Sequence, residues 1–306
     1  MSNSCPLIGL CLTLLVTSTS APRAESLTLA ELSYEYVPSA ELKLTGNEAD
    51  ELQTTAETMT CKLAVPVLLN GTRTMLLNFL TLRAFHQTYQ DEATVRAVFK
   101  PENLYSFKYG LVFRHVLNDK WCFASLIQPV LVSDLNNIDS DHFALRAGFL
   151  FERKVRASFK YGIGLGYSDD YGDEKVLPVL QLSWKPSPTW SVKFDVPQSL
   201  DIWYRPQGRF CFGFLGKVTG GHFRIGELVQ LSDEVITDNG RVKYSIFNAG
   251  PAVGVEVMKN FSLIANAGRS FFRRFEVFDN KGTRLEDSDF ENSLFLKVIL
   301  QYDVQG

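Results

Sequence analysis

The sequence predicts an all-β protein, a single antiparallel transmembrane β-barrel of about 12–14 strands, with short periplasmic turns and longer outer loops. Three observations predict it: period-2 alternation along most of the chain, alternating segments too long for ordinary globular strands, and connections that alternate between short and long.

Alternation is clearest over residues 157–168, where Ala157, Phe159, Tyr161, Ile163, Leu165 and Tyr167 form one face. Ser158, Lys160, Gly162, Gly164, Gly166 and Ser168 form the other. Successive side chains of a strand point to opposite faces, so one face of this segment is wholly apolar. Residues 105–117 repeat the device, with Tyr105, Phe107, Tyr109, Leu111 and Phe113 opposite Ser106, Lys108, Gly110, Val112 and Arg114. So do residues 143–152 and 247–256. The polar faces are rich in Gly, Lys, Arg and Glu, a composition suited to a hydrated lumen and unsuited to the dry middle of a sandwich.

Segments such as 53–69, 72–89 and 241–257 far exceed the globular mode of about 5–6 residues. A tilted strand that crosses a bilayer needs about 9–11 residues plus its ends. Strands are expected near 29–37, 53–69, 72–89, 104–117, 121–133, 142–153, 156–169, 175–185, 189–196, 199–205, 209–229, 241–257, 259–277 and 291–304. Short turns fall at Asn70-Gly71, a type I′ hairpin signal, at Asn118-Asp119-Lys120, near Lys154-Val155, at Pro186-Ser187-Pro188, at Pro206-Gln207-Gly208 and near Lys259-Asn260. Longer polar connections fall at 38–52, 90–103, 134–141, 169–175, 231–240 and 279–290. The exception is the link at Pro197-Gln198, brief where a long one is due.

The N-terminus sets the compartment. Pro6 to Val16 is an apolar run, followed by small and hydroxyl residues, which reads as a signal peptide over 1–24 with cleavage between 20 and 25. Residues 25–306 are then one barrel domain of an exported protein. No later stretch has the ~18–20 apolar residues of a spanning helix. Of 306 residues, 12% are aromatic, which suits pleated surfaces and the two lipid–water interfaces. A net charge of −3 argues against a nucleic-acid surface. Cys61, Cys122 and Cys211 are odd in number and match no zinc spacing, so neither a disulfide framework nor a metal site is expected.

Residues 177–206 also resemble a segment of an uncharacterised family of predicted bacterial outer-membrane β-barrels, a domain of unknown function. The elements that carry this are Leu177-Pro178, Leu182-Ser183-Trp184 with Pro186, Trp190, Pro197 and Tyr204. Gly250 to Gly254, Ala267-Gly268 and Arg273-Arg274-Phe275 resemble that family's closing hairpin. The resemblance implies a barrel in the outer membrane, in contact with lipopolysaccharide and delivered by the barrel-assembly machinery. It implies no catalytic residue.

Candidate chemistry is sparse. Asp139-Ser140-Asp141-His142 places two carboxylates beside an imidazole, but Asp and Ser in a loop are turn formers first. Asp169-Asp170-Tyr171-Gly172-Asp173-Glu174 has hard-cation ligands, yet reads better as a solvated acidic loop. Neither makes an enzyme, and no cofactor, metal or catalytic residue is assigned. The lumen is the candidate site. Its expected inward residues are Lys62, Lys108, Arg114, Arg146, Lys160, Lys193, Asp195, Glu256, Arg274 and Lys297, of which eight are cationic. The expectation is a passive pore that favours small anionic solutes, or a structural barrel whose charges pair across strands. The alternatives are a periplasmic β-sandwich that binds a ligand and, behind it, a barrel hydrolase.

Overall fold

The computed structural model describes residues 26–43, 51–69, 73–90, 103–136, 138, 140–168, 175–225, 229–231, 234–237, 240–279 and 283–305. Fourteen strands make one closed wall. In chain order they begin with β1 (Ser26–Lys43), β2 (Glu51–Leu69), β3 (Thr74–Gln90), β4 (Asn103–Val116), β5 (Trp121–Ser133), β6 (Phe143–Arg156) and β7 (Phe159–Ser168). Then come β8 (Lys175–Trp184), β9 (Trp190–Val196), β10 (Ser199–Tyr204) and β11 (Phe210–Ile225). A small ribbon, β12 (Val229–Leu231) and β13 (Glu234–Thr237), precedes β14 (Gly240–Met258), β15 (Phe261–Phe278), β16 (Arg284–Phe290) and β17 (Leu294–Gln305). Every strand from β1 to β11 pairs antiparallel with the next, then β11 with β14, β14 with β15, β15 with β17, and β17 returns to β1. A sheet that closes in this way satisfies its backbone groups without help from water, the condition for crossing hydrocarbon.

Three elements differ from the sequence expectation. The strand expected over 29–37 runs to Lys43, six residues into the connection expected over 38–52. Residues 284–290 were expected in a loop but form β16, which lies between β15 and the Leu42–Lys43 end of β1. The outer ends of β1 and β15 rise beyond the start of β17 at Leu294, and β16 supplies the ladder that their N–H and C=O groups require. Of the strand expected over 209–229, β11 spans Phe210–Ile225, and Val229–Leu231 pairs instead with β13 in a separate ribbon. The sandwich alternative is overturned: one sheet closes on itself, in place of two sheets stacked face to face.

Residue parity now separates inside from outside. On β4, Leu104, Ser106, Lys108, Gly110, Val112 and Arg114 are buried, while Phe107, Tyr109 and Phe113 are exposed. The same rhythm exposes Ile127, Phe149, Ile163, Phe212, Phe214, Val253 and Leu300 on other strands. Such a continuous exposed apolar belt is costly in water and is what a bilayer covers. At the turn end the belt gains aromatics: Trp190 packs on Tyr204 (5.1 Å), Phe261 on Tyr302 (4.8 Å), and the Arg153 guanidinium lies 5.4 Å from the Trp121 ring centre. Towards the outer end of β14 and β15 the outward face turns polar, with Lys243 Nζ 2.7 Å from Glu276 Oε2 and Arg274 Nε donating to Asp287 Oδ1 at 2.7 Å. These groups mark where hydrocarbon ends on that side.

Inside, the wall is dry where side chains meet. Leu77, Val112, Leu126, Leu150 and Val179 form one buried cluster, with Phe79 packed against it. Gly110 makes room for that ring, since a Cβ there would stand 2.1 Å from Phe79 Cζ and the ring would have to move.

The topology predicts opposite fates for two outward sites. Ile163→Arg, 58% exposed in the middle of β7, should lower the unfolding free energy in lipid vesicles by about 2–4 kcal/mol. Val155→Arg, beside the β6–β7 turn, should change it by less than about 1 kcal/mol, the range expected near an interface. Urea titration of heat-modifiable gel mobility measures both. Equal effects would refute the assignment of the outward belt to lipid.

Candidate functional site

The inner face carries a layer of charge held by cross-strand neighbours. Glu31 and Lys62 are register partners on β1 and β2, and Lys62 Nζ donates to Glu31 Oε1 at 2.7 Å. Glu35 and Lys297 are partners on β1 and β17, joined at 2.9 Å through Glu35 Oε2. The other oxygen of Glu35 accepts from Asn248 Nδ2 at 2.7 Å. Asn248 belongs to β14, separated from β1 by β17 and β15, so this bond cuts across one side of the lumen. Lower on the opposite wall, Glu152 lies between two cations, 3.7 Å from Arg114 and 3.8 Å from Lys160. Buried carboxylates are stabilised this way because a charge withdrawn from water needs an opposite charge close by.

The structure places nine of the ten expected lumen residues on the inward register. Lys62, Arg114, Lys160 and Lys297 lie in the pairs just described. Lys108 and Arg146 are buried on β4 and β6. Lys193 and Asp195 lie on β9, where Lys193 is exposed within the lumen, and Glu256 is exposed at the turn-end rim of β14. Arg274 is the correction. Phe272 adopts φ 52° and the β14–β15 register shifts across it, between the pairs Phe247↔Phe271 and Ser245↔Arg274. This bulge inserts one residue and reverses the alternation beyond it. Arg273 therefore turns inward, 1% exposed, and Arg274 turns outward to Asp287.

Several inward groups escape a list built on the plainest alternations. Glu31 and Glu35 lie within the strand expected over 29–37, with Leu32 and Tyr34 between them outward and exposed. Glu152 ends an alternation whose polar face was recognised, and its value as a partner depends on register with β4's neighbour and β7. Lys217 and Asp201 lie on β11 and β10, whose inward parity follows from the pairs Asp201↔Lys193 and Lys217↔Asn248. Arg273 was hidden by the bulge.

At the outer end the lumen is filled. Phe85, Leu104, Val130, Val132, Phe223, Ile225, Val242, Tyr244, Phe275 and Phe290 form one buried cluster from both sides of the barrel. The Arg273 guanidinium lies 3.8 Å from the Phe290 ring centre and 5.7 Å from that of Tyr244. The outer part of β11 crosses towards β5, pairing Arg224 with Ser133 in parallel register. Arg83 of β3 donates from Nη1 to Gly220 O of β11 at 3.2 Å, again across the lumen. By contrast the inner face of β9–β10 offers Ser191, Lys193, Asp195, Ser199 and Asp201, all partly or wholly reached by water.

The weaker candidates gain little. His142 ends a 3₁₀ turn (Ser140–His142) and is buried, while Asp139 lies outside the described residues. His115 bonds Thr74 at 2.9 Å and His86 bonds Asn103 at 2.9 Å, both between adjacent strands. Cys61, Cys122 and Cys211 are free thiols. Among the described residues no group of His, Cys, Asp and Glu has the geometry to hold a metal ion. The acidic segment Asp169–Glu174, the Asn70-Gly71 turn and residues 1–24 lie outside the described residues.

A family model described as a domain of unknown function (DUF6268) matches residues 23–303. No curated protein matches the chain. Among solved structures, the chain is similar to a COG4313 outer membrane channel from Pseudomonas putida F1 at 11% identity and TM-score 0.46, covering 93% of this chain and 100% of that one. It is similar to the P. putida toluene transporter TodX at 9% identity and TM-score 0.39, covering 91% and 90%. Similarity to the NanC porin has 8% identity and TM-score 0.34, covering 89% and 100%.

Glu152 is the most consequential charge of the inner wall. Glu152→Gln leaves Arg114 and Lys160, with side chains 8% and 12% exposed, without their carboxylate. The expected cost is about 3 kcal/mol, as for breaking one partner out of a buried ion pair. Urea unfolding in vesicles reads it, and adding Arg114→Gln and Lys160→Gln should recover part of the loss.

Proposed function

The chain belongs to this family of unknown function, and from that premise we propose that it is a passive, non-enzymatic channel of the bacterial outer membrane that favours small anionic solutes. The observation that carries the reading is the charge of the inner wall as a whole, where Lys62, Lys108, Arg114, Arg146, Lys160, Lys193, Lys217 and Lys297 outnumber Glu31, Glu35, Glu152, Asp195, Asp201 and Glu256. Lys193 is exposed there, and Lys62 remains 34% exposed although paired. Lys217 faces inward beside them on β11. A fixed positive potential in a narrow path enriches anions and excludes cations. Asp195 and Asp201 share the water-reached face with Lys193 and Lys217, and Glu31 holds Lys62, so these acids reduce the field there.

Export through the signal peptide, assembly by the barrel machinery and contact with lipopolysaccharide belong to the same proposal. A bilayer-spanning barrel with short turns at one end and long connections at the other has the layout of proteins inserted from the periplasm. A second reading, a closed structural barrel, draws support from the apolar cluster that fills the outer end.

Planar-bilayer recordings separate the two. Under a salt gradient the purified barrel should give a reversal potential of anion sign at about 0.1 M salt, falling towards neutrality at 1 M as the screening length drops from ~10 to ~3 Å. Lys193→Glu with Lys217→Glu should shift that potential towards cations, while Lys108→Glu should shift it less, because Lys108 is buried in the wall. Folded protein that leaves the bilayer silent would support the structural reading.

A further inference from the structure

The β9–β10 hairpin is too short for the wall it belongs to. β9 has 7 residues and β10 has 6, between neighbours of 10 and 16. Its outward residues start at the aromatic rim with Trp190 and end at Val196. Six steps of ~3.3 Å, tilted by ~40°, rise only about 15 Å, whereas the apolar band of a membrane barrel is about 25 Å tall. The hairpin therefore stops inside the hydrocarbon, at Pro197-Gln198.

Both neighbours continue past it. The β8–β9 ladder ends at Leu180↔Val196, and among the described residues no strand pairs with β8 on that side from Val179 to Val176. The β10–β11 ladder ends at Ser199↔Lys217, and β11 runs on to Ile225. Two strand edges thus border a gap above the hairpin. An open edge in hydrocarbon is prohibitive unless its polar groups find partners, and three groups of the β11 edge do. Val218 N donates to Gln198 O at 2.8 Å, Gly220 O accepts from Arg83 at 3.2 Å, and Arg224 O accepts from Asp134 N at 3.3 Å. On the β8 edge, Pro178 has no N–H, which a strand tolerates at an edge. Among the described residues no strand fills the gap.

The gap also lies where the lumen needs an exit. Straight outward, the path ends at the cluster of Phe85, Phe223, Tyr244 and Phe290. Directly beneath the gap the inner wall is polar and hydrated, with Lys193, Asp195, Ser199 and Asp201. We propose that the gap between β8 and β11 is a lateral opening through the barrel wall, by which a solute with an apolar body and an anionic head passes between the lumen and the outer half of the acyl layer. The head is matched by Lys193 and Lys217, which flank Asp201 on that wall and favour the head that lies on their side of it. The apolar body is matched by the Val176, Pro178 and Val218 edges and by the lipid beyond them. This rests on the channel reading for its solute, but the opening itself is tested without conduction.

In a background with Cys61, Cys122 and Cys211 replaced by Ser, single cysteines carry a small fluorophore at inward Ser199, inward Ser183 and outward Ile202. Each variant is folded into vesicles of lipids brominated along the acyl chain and checked by heat-modifiable mobility. Quenching at Ser199 should reach at least half that at Ile202, while Ser183, low on the inner wall, stays below one tenth. A Ser199 label quenched no more than Ser183 overturns the opening, whatever the barrel conducts. Dodecanoate should then relieve the Ser199 quenching saturably, with at least tenfold weaker affinity in Lys193→Glu. Relief that decanol matches, or that Lys193→Glu leaves unchanged, overturns the anionic-head assignment and keeps the opening. A barrel silent in planar bilayers yet quenched at Ser199 removes the ion channel and leaves the lateral route.

Discussion

Every backbone N–H and C=O in the hydrocarbon layer must be answered by protein, and this requirement governs the whole chain. It makes the sheet close from β17 back to β1. It draws residues 284–290 into β16 so that the raised ends of β1 and β15 are not left bare. Where the ladder lapses, along the outer part of β11, single partners answer three of its groups: Gln198 O, the Arg83 guanidinium and Asp134 N. The exceptions follow the same rule as the wall.

Charge inside the barrel obeys a second rule, that a buried ion keeps an opposite ion beside it. Counting the cations of the inner face therefore overstates the field a solute would feel. Lys62 with Glu31, Lys297 with Glu35, and Arg114 and Lys160 with Glu152 are largely local dipoles. The cations that shape the solvent are those on the hydrated side, around β9 to β11. The wall of β4 to β6 encloses Lys108 and Arg146 among packed side chains, where their contribution is structural.

Much of this was legible in the sequence, because a barrel wall translates directly into parity. The alternation over 105–117 and 157–168 assigned the exposed Phe107, Tyr109 and Ile163 and the inward Lys108, Arg114 and Lys160 by counting alone. Counting fails where one residue is inserted. The bulge at Phe272 leaves no mark in hydropathy, since Phe271 and Phe272 are equally apolar, and so parity alone points to Arg274 in place of Arg273. Pairing fails for a different reason. That Glu35 meets both Lys297 and Asn248 depends on strands more than 200 residues apart in sequence, |i−j| 262 and 213, whose register no local pattern encodes. The brief Pro197-Gln198 link was visible as an irregularity, but its meaning required the heights of β8 and β11 on either side.

That irregularity and the filled outer end are two views of one geometric fact. Phe223 and Ile225 reach the cluster with Val130 and Val132 only because the outer part of β11 leans across to β5, where Arg224 pairs with Ser133. A strand that leans inward over eight residues, Val218 to Ile225, leaves the line along which β10 could have continued beside it. Lengthening the hairpin would not restore the ladder, since its partner is elsewhere. The apolar cluster that closes the barrel towards the outside is thus made by the same displacement that thins the wall between β8 and β11. Closing one route and leaving the other is a single choice of backbone path, fixed by where Phe223 and Ile225 are buried.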